Sequence, residues 1–379
     1  MIGLIPFYKP CVTGKESVAM QQALANGKLS GNGSFGNKCT NWLEERLGCE
    51  KAILTPSCTD ALEMTALLME IRDGDEVIMP SYTFVSSANA YALWGASIRF
   101  IDVDPLTMNM DADLIEAAVT ERTKAIVAVH YAGVSCDTDK IMDIAERHHL
   151  FVIEDAAQAL MSTYKDKPLG TIGHFGTFSF HDTKNYTCGE GGALLINDPA
   201  QMERAEILQE KGTDRSKFVR GQVDKYTWQD IGSSYLLSEI NAAFLSVQFE
   251  QANVILEDRM KTWEIYRQGL KSLSEQGRIE IPYVPANAAH NAHMFFVKAK
   301  DEETRNRLMD FLADKQIQTT SHYVPLHNSV AGRKYGKFIG EDKYTTADGT
   351  RILRLPLYYE MGEEDARYVI DQIQTFYKA

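Results

Sequence analysis

The sequence predicts an α/β fold built on a mostly parallel central sheet. Short apolar runs alternate with helical patterns from about residue 50 to residue 200, the order typical of strands joined by crossover helices. The helical segments begin with acidic residues or threonine, which favour helix starts. After residue 250 the pattern changes, which predicts a large domain over residues 1–249 and a smaller C-terminal α+β domain over residues 250–379.

Apolar runs and helical spacing place the elements in order along the chain. Strands of the large domain are predicted at 51–54, 76–79, 98–101, 125–129, 151–154, 176–180 and 193–196, and helices at 61–69, 87–94, 111–119 and 137–149. A long helix is predicted at 235–270, followed by strands at 278–283, 292–298 and 316–321 and by helices at 302–315 and 363–377. Ligands in such sheets bind where the carboxyl ends of strands meet helix starts.

Composition narrows the class of protein. The chain has 379 residues, of which 44% are hydrophobic, so a sizeable core can be buried. A formal net charge of −13 disfavours general binding to nucleic acid or to anionic membranes. Six scattered cysteines form no C-x-x-C pair and are expected to be reduced thiols. With no signal-like N-terminus and no long apolar run, we expect a cytoplasmic protein.

The most informative stretch places Lys184 shortly after an apolar strand and before the glycine-rich bend of residues 189–192. Upstream, the apolar run that starts at Phe151 ends in the carboxylate of Asp155. A lysine and a carboxylate at neighbouring strand ends can hold pyridoxal phosphate (PLP), with the lysine forming a Schiff base and the carboxylate pairing with the pyridinium nitrogen. The pair therefore predicts an aminotransferase.

Other side chains near these strand ends are candidates to bind the same cofactor. Ser57 and Thr59 lie between a strand and a helix, where hydroxyls and backbone N–H groups favour a phosphate, although serine and threonine are also ordinary helix caps. Ser179 could supply another hydroxyl to that phosphate. Gln158 could reach the phenolic oxygen, and Phe84 could stack on the pyridine ring, unless they are a surface amide and a core aromatic.

Three further patterns in the sequence bear on other functions. The glycines of residues 31–36 match G-x-G-x-x-G, but no strand precedes them, so a flexible loop near a ligand entrance is predicted rather than a dinucleotide site. The nine histidines lack metal-ligand spacing, so no metal site is expected. A basic cluster could clamp an anionic substrate or form a solvated loop. Its members are Lys211, Arg215, Lys217, Arg220 and Lys225.

With these residues assembled, the chain resembles the DegT/DnrJ/StrS family of PLP-dependent sugar aminotransferases over nearly its whole length. The motifs that carry the resemblance are Thr55-Pro-Ser-Cys-Thr59, Pro80-Ser-Tyr-Thr-Phe84, Glu154-Asp-Ala-Ala-Gln158, Ser179-Phe-His-Asp-Thr-Lys184 and Gly189-Glu-Gly-Gly192. The resemblance implies a fold-type I aminotransferase that works as a homodimer with sites at the subunit interface. It also implies that Cys58 contributes its backbone to the phosphate site.

Two positions depart from the wider family. Ser234 stands where many members carry an asparagine that reaches the partner subunit's phosphate, so a shorter or water-mediated contact is implied there. Cys58 stands where glycine is common, which crowds the phosphate turn slightly. Neither change removes a group that the chemistry needs.

The resemblance implies transfer of an amino group from L-glutamate to the 4-keto group of dTDP-4-keto-6-deoxy-D-glucose. The products would be dTDP-4-amino-4,6-dideoxy-D-galactose and 2-oxoglutarate. An alternative is amination of a 3-keto or UDP-linked deoxysugar. A related dehydratase branch carries histidine in place of the lysine, so Lys184 argues against that function. A catalytically idle PLP-fold regulator is disfavoured because the chain has no DNA-binding extension. A nicotinamide-dependent dehydrogenase is disfavoured because it has no dinucleotide loop.

Overall fold

The computed structural model describes residues 3–378. The helices are α1 (Glu16–Ala25), α2 (Ser34–Leu47), α3 (Cys58–Leu68), α4 (Val85–Ala92), α5 (Ile115–Ala118), α6 (Thr138–His148), α7 (Met202–Gln209), α8 (Arg215–Val219), α9 (Glu239–Glu250), α10 (Ala252–Glu275), α11 (Glu302–Asp314), α12 (Val330–Tyr335), α13 (Thr345–Arg351) and α14 (Glu363–Lys378). The strands are β1 (Lys51–Thr55), β2 (Glu76–Pro80), β3 (Ser97–Ile101), β4 (Thr123–Val129), β5 (Phe151–Asp155), β6 (Thr163–Tyr164), β7 (Lys167–Pro168), β8 (Phe175–Ser179), β9 (Gly192–Ile196), β10 (Ala288–Ala289), β11 (Phe295–Lys298), β12 (Gly336–Phe338) and β13 (Ile352–Leu355).

The central sheet has eight strands in the order β1-β9-β8-β5-β4-β2-β3-β12. Strand β9 runs antiparallel to both of its neighbours, whereas the pairs from β8 to β12 are parallel. The predicted α/β fold with a mostly parallel sheet is therefore confirmed. Because parallel strands point their carboxyl ends to one edge, β5 and the neighbouring β4 deliver their last residues side by side.

The sheet is buried on both faces, as its near-continuous apolar strands require. Strand β2 is buried at every position, and its consecutive residues Val77 and Ile78 belong to two different apolar clusters. Helices α3 and α4 contribute to the first cluster, and α6 contributes to the second. This packing fixes the strand ends from which the candidate site residues extend.

A second core lies in the C-terminal region, where α10, α11 and α14 pack around the two-stranded antiparallel sheet β11-β13. Three strand pairings join this region to the rest of the chain. Strand β12 returns to the central sheet beside β3, β10 pairs with β6, and Ile5 forms a bridge with Ile317. The division into domains at residue 250 stays a prediction, and strand pairing crosses it at these three places.

Three element predictions were wrong. The helix predicted at 235–270 is two helices, α9 and α10, which are separated at Gln251. The side chain of Ser238 caps α9 by accepting the N–H of Asn241 at 3.3 Å, so this helix begins at Glu239 and not at residue 235. The strands predicted at 278–283 and 316–321 form only isolated bridges, at Glu280, Ile317 and Thr320.

The glycine-rich segment at 31–36 is also not a flexible loop throughout, because α2 begins at Ser34. The carboxylate of Glu239 accepts the backbone N–H groups of Gly33 and Gly36 at 3.0 and 2.8 Å and that of Phe35 at 2.9 Å. A negative charge at these free N–H groups stabilises the start of a helix. A Cβ atom on Gly33 would lie 2.4 Å from the carboxyl carbon of Glu239, so the close approach requires glycine there.

The helices within residues 3–378 were compared with the requirements of a membrane span. None of them combines sufficient length with sufficient apolar character to cross a bilayer. The same described residues contain no cluster of three or more histidine, cysteine, aspartate or glutamate side chains arranged to hold a metal ion.

Candidate active site

A cavity of about 560 Å³ lies at the carboxyl ends of the strands, a volume typical of sites for small ligands. Its wall includes every predicted site residue except Ser234. The predicted residues that line it are Ser57, Cys58, Thr59, Phe84, Asp155, Gln158, Ser179 and Lys184. The parallel sheet brings them together from four separate strand ends, as the sequence predicts.

Lys184 lies in the segment between β8 and β9 and extends into the cavity. Burial lowers the pKa of its amine below the usual value of 10.5, although Cys58 and Asp155 act in the opposite direction. No hydrogen bond from a side chain within residues 3–378 contributes to that pKa. The amine is therefore desolvated and available, which is the state that a nucleophilic lysine needs.

Asp155 is the last residue of β5, and its carboxylate is held from two sides. The hydroxyl of Ser87 donates to Oδ2 at 2.7 Å, and the N–H of Ala157 donates to Oδ1 at 3.3 Å. The residue is only 6% exposed. A buried, oriented carboxylate of this kind fits the protonated nitrogen of a pyridine ring.

The turn that leads into α3 has the donor set of a phosphate site. Ser57 caps the helix by accepting the N–H of Asp60 at 3.1 Å, and α3 begins at Cys58. The hydroxyls of Thr59 and Ser86 lie 2.8 Å apart at the same end of the helix. Unpaired N–H groups at a helix start, with hydroxyls beside them, favour a bound anion.

Gly192 explains why this turn lies against strand β9. A Cβ atom at Gly192 would lie 2.4 Å from the backbone nitrogen of Cys58, so only glycine allows the approach. The thiol of Cys58 is buried beneath the turn, and burial raises its pKa, so it is an unreactive packing group. Ser179, at the end of β8, accepts the N–H of His181 at 3.4 Å and borders the same cavity.

Gln158 and Phe84 complete the part of the cavity that was predicted. The side-chain oxygen of Gln158 accepts the N–H of Ala132 at 2.7 Å, and its amide nitrogen donates to the hydroxyl of Tyr323 at 3.1 Å. Both contacts fix the amide beside the cavity. Phe84 is 57% exposed and its ring centroid lies 6.4 Å from that of Tyr323, so one face of the ring is free to stack.

Ser234 lies outside this cavity. It is exposed and forms an isolated bridge with Glu210. The basic cluster is also outside the lining residues, and most of its members are paired with acids. These pairs are Lys211 and Arg215 with Glu210, Lys217 with Glu203, and Arg220 with Glu206. Within the described chain, neither Ser234 nor the cluster contributes to the cavity that holds Lys184.

Several lining residues have no signal in the sequence that identifies them. Arg354, His322 and His293 reach the cavity from the C-terminal region. Ser87, which holds Asp155, falls inside a predicted helix, where serine is an ordinary surface residue. Nothing in the local sequence places the side chain of Arg354 at the cavity.

A buried pair beside Asp155 supports the end of β5. Glu154 and His130 are both fully buried, and Nε2 of the histidine lies 2.9 Å from a carboxylate oxygen. The N–H of Cys136 donates to Nδ1 of His130 at 3.1 Å, which assigns the ring proton to Nε2 and makes it a donor to Glu154. The carboxylate also accepts the N–H groups of Gly170, Ile172 and Gly173. These contacts fix the strand end that carries Asp155.

Replacing Glu154 with glutamine should lower the free energy of unfolding by about 2–4 kcal/mol, the cost of one or two buried donors left without an acceptor. Burial acts to raise the pKa of Glu154, but hydrogen bonds from His130 and the glycine N–H groups hold it below 4.5. A lowered folded pKa gives stability that is present above pH 4.5 and is lost as the pH falls through the folded value. Urea unfolding at pH 7 and pH 4 measures both effects.

Glu116→Gln is the matched control, because Glu116 pairs with Arg147 at the surface. An exposed pair is worth about 1 kcal/mol or less. Equal losses of stability in the two variants would contradict the structural role assigned to Glu154.

Comparisons with known proteins agree with this arrangement. Residues 10–374 match the DegT/DnrJ/EryC1/StrS aminotransferase family. The chain is 34% identical to GDP-perosamine synthase from Escherichia coli O157:H7 over 376 residues, covering 98% of each protein. Its fold matches the aminotransferase TlmJ from Streptoalloteichus hindustanus with a TM-score of 0.90 and 28% identity, covering 99% of both chains.

A second solved protein carries information about the cofactor. Spr1654 from Streptococcus pneumoniae, named as a sugar aminotransferase, has been solved in a PLP form and in a PMP form. The PLP form matches this chain with a TM-score of 0.90 and 26% identity over 99% of each chain. The similarity therefore extends to proteins that bind this cofactor.

Proposed function

We propose that this chain, which belongs to the DegT/DnrJ/EryC1/StrS aminotransferase family and is a PLP-dependent sugar aminotransferase, acts on a nucleotide-linked 4-keto-6-deoxysugar. In this proposal L-glutamate donates the amino group to dTDP-4-keto-6-deoxy-D-glucose. The products are dTDP-4-amino-4,6-dideoxy-D-galactose and 2-oxoglutarate. The observation that carries the aminotransferase chemistry is the meeting of Lys184 and Asp155 in one cavity at the strand ends, and the choice of sugar rests on the sequence resemblance.

The residues of the cavity fit the cofactor group by group. Lys184 offers a desolvated amine to the aldehyde, and Asp155 offers a carboxylate to the ring nitrogen. Ser57, Thr59 and Ser179, with the backbone of Cys58, form a donor set for the phosphate. Gln158 would contact the phenolic oxygen, and Phe84 would cover one ring face. PLP, when bound, supplies an aldehyde that captures amines and a ring that accepts electrons from a carbanion.

The residues of this chain then handle protons. Lys184, the pKa of whose amine is lowered by burial, takes the proton from Cα of glutamate. In the second half of the reaction, it returns a proton to C4 of the sugar from the same side, which sets the galacto configuration. The carboxylate of Asp155, held by Ser87 and Ala157, would stabilise positive charge at the ring nitrogen. Asp155 is buried, which strengthens its electrostatic contacts.

We propose a homodimer as the working assembly. Phe84 and Ser234 are both exposed in the single chain, although each is predicted to serve a cofactor site. Large apolar side chains near Ser234 are exposed as well, including Trp228 at 80% and Val219 at 73%. A second copy that covers this surface would bring Ser234 and the basic cluster towards its partner's cavity. Sedimentation analysis of the purified protein tests the assembly.

A GDP-linked sugar is the second candidate, because a relative of 34% identity makes GDP-perosamine. Purified protein should therefore be incubated with L-glutamate and a panel of dTDP-, UDP- and GDP-linked 3-keto and 4-keto deoxysugars. Product NMR identifies the aminated carbon and its configuration. Formation of 2-oxoglutarate with the dTDP-linked 4-keto sugar supports the proposal, whereas amination of only a GDP-linked or 3-keto sugar overturns the substrate assignment.

A further inference from the structure

His293 is a buried histidine of the C-terminal region that borders the same cavity as Lys184. It is 6% exposed and lies just before β11. Its Nδ1 atom lies 3.0 Å from the side-chain oxygen of Asn185, the residue that follows Lys184. Its Nε2 atom has no hydrogen-bond partner among the described residues and is not fully enclosed by them. One ring nitrogen is therefore anchored beside the reactive lysine, and the other is open to the cavity.

Asn185 assigns the position of the ring proton of His293. The amide nitrogen of Asn185 donates to the backbone oxygen of Asn291 at 2.9 Å, so its side-chain oxygen faces His293 as an acceptor. Nδ1 therefore carries the proton, and Nε2 keeps a lone pair. Burial, and then the positive charge of Lys184, lower the pKa of His293 well below 6.5. The ring thus presents a neutral hydrogen-bond acceptor to the cavity.

The backbone beside His293 has an unusual conformation that other contacts maintain. Ala292 has a φ of 51°, in the left-handed region that residues other than glycine seldom adopt. The buried guanidinium of Arg259, in α10, donates to the backbone oxygens of Ala292 and His293 at 3.1 and 2.8 Å. Such strain persists only where the surrounding structure determines it, and it is concentrated at functional sites. These contacts fix the direction of the imidazole.

The chemistry of the two substrates decides what this acceptor can bind. The carboxylates of L-glutamate have no hydrogen to donate, and its amino nitrogen is the atom that is transferred. A keto-sugar brings hydroxyl groups, which can donate. In a 4-keto-6-deoxysugar, C3 carries a hydroxyl, whereas C5 carries the ring oxygen and a methyl group. The 3-hydroxyl is therefore the donor that lies next to the carbon on which Lys184 acts.

We propose that His293 accepts a hydrogen bond from the 3-hydroxyl of the keto-sugar and so selects sugars that carry a hydroxyl next to the keto carbon. The inference rests on the proposed function and names a specificity-determining residue for it. A sugar without this hydroxyl would displace water from Nε2 and leave the acceptor unpaired. A site built to bind a hydroxyl strongly rejects the analogue that lacks it. Asn185 and Arg259 are the positioning residues of His293.

A comparison of two sugars tests the proposal in the wild-type enzyme. dTDP-4-keto-6-deoxy-D-glucose and its 3-deoxy analogue are each supplied to the pyridoxamine phosphate form, and the half-reaction is followed by cofactor absorbance. We expect kcat/KM to be roughly 10- to 100-fold lower for the 3-deoxy sugar, the range for leaving one buried acceptor unpaired. Equal values for the two sugars would overturn the proposal without any need for a variant.

His293→Phe keeps an aromatic ring but removes the acceptor. It should lower kcat/KM for the 3-hydroxy sugar roughly 10- to 100-fold. The values for the 3-deoxy sugar and for L-glutamate should change less than about 3-fold, near the scatter of neutral substitutions. His293→Gln supplies an amide oxygen as acceptor, so it should restore part of the preference for the 3-hydroxy sugar.

His148→Phe is the matched control, because His148 ends α6 and pairs with Glu116 away from the cavity. It should keep the sugar preference of the wild type. An equal loss with both sugars in His293→Phe, or a matching loss with L-glutamate, would show that His293 only supports the structure around Lys184. Either result would overturn its role in specificity.

Calorimetric binding keeps this inference separate from the proposed function. The PLP form has no amino group to transfer, so dTDP-4-keto-6-deoxy-D-glucose can bind to it without turnover. The wild type should bind this sugar roughly 10- to 100-fold more tightly than His293→Phe does. If that difference is found while no nucleotide sugar is aminated, the hydroxyl site stands and the proposed function fails. If the two proteins bind the sugar equally, or neither binds it, the hydroxyl site fails.

Discussion

Lys184→Ala should abolish turnover and remove the visible absorbance, at about 410–430 nm, that PLP shows when it is joined to a lysine. Two roles would be lost at once, because in the proposed mechanism Lys184 is both the point of attachment and the group that moves protons at the donor and sugar carbons. We expect kcat to fall by roughly 10⁴-fold or more, the scale for removing a nucleophile or an acid–base group. Absorbance spectra and coupled assays of 2-oxoglutarate formation measure the two losses independently.

Two further substitutions make the Lys184 test specific. Lys184→Arg keeps the positive charge but not the nucleophile, so it should behave like the alanine variant. Lys271→Ala removes an exposed lysine on α10, and its spectrum and rate should equal those of the wild type. Normal turnover by Lys184→Ala would refute the aminotransferase assignment, and loss of absorbance in Lys271→Ala would show that the spectral signal is not specific to the site.

The candidate site was largely predictable because its residues follow strands. Asp155 and Ser179 are the last residues of β5 and β8, and strand ends of a parallel sheet share one edge. The motif at Ser57 is likewise a strand followed directly by a helix start. In each case, the local apolar pattern specifies both the element and the position of the functional residue on it.

Arg354 and His322 were not predictable, because their positions depend on contacts between distant segments. Arg354 is delivered by the pairing of β13 with β11 and by its bridge to Thr320. No local pattern specifies which side of such a short strand faces a cavity formed mainly by the other half of the chain. The break at Gln251 escaped prediction for a different reason, since the residues on both sides of it carry helical patterns.

Asp155→Asn should leave the cofactor bound to Lys184 but slow the reaction about 10²- to 10³-fold, the scale for losing one preorganised electrostatic contact. An asparagine can still accept the hydroxyl hydrogen of Ser87, so the strand end should keep its structure. It cannot hold a proton on the ring nitrogen by charge, and the ring then accepts electrons less readily. The single-turnover rate with L-glutamate measures this loss without interference from product release.

The Asp155 test needs comparisons that distinguish charge from structure. Asp143→Asn removes an exposed carboxylate on α6 and should leave the rate unchanged. Ser87→Ala removes only the hydroxyl that orients Asp155, so its effect should be smaller than that of Asp155→Asn, because the charge remains. If Asp155→Asn instead loses the visible absorbance as Lys184→Ala does, Asp155 acts by maintaining the site. A wild-type rate in Asp155→Asn would mean that no ionised partner is needed at the ring nitrogen.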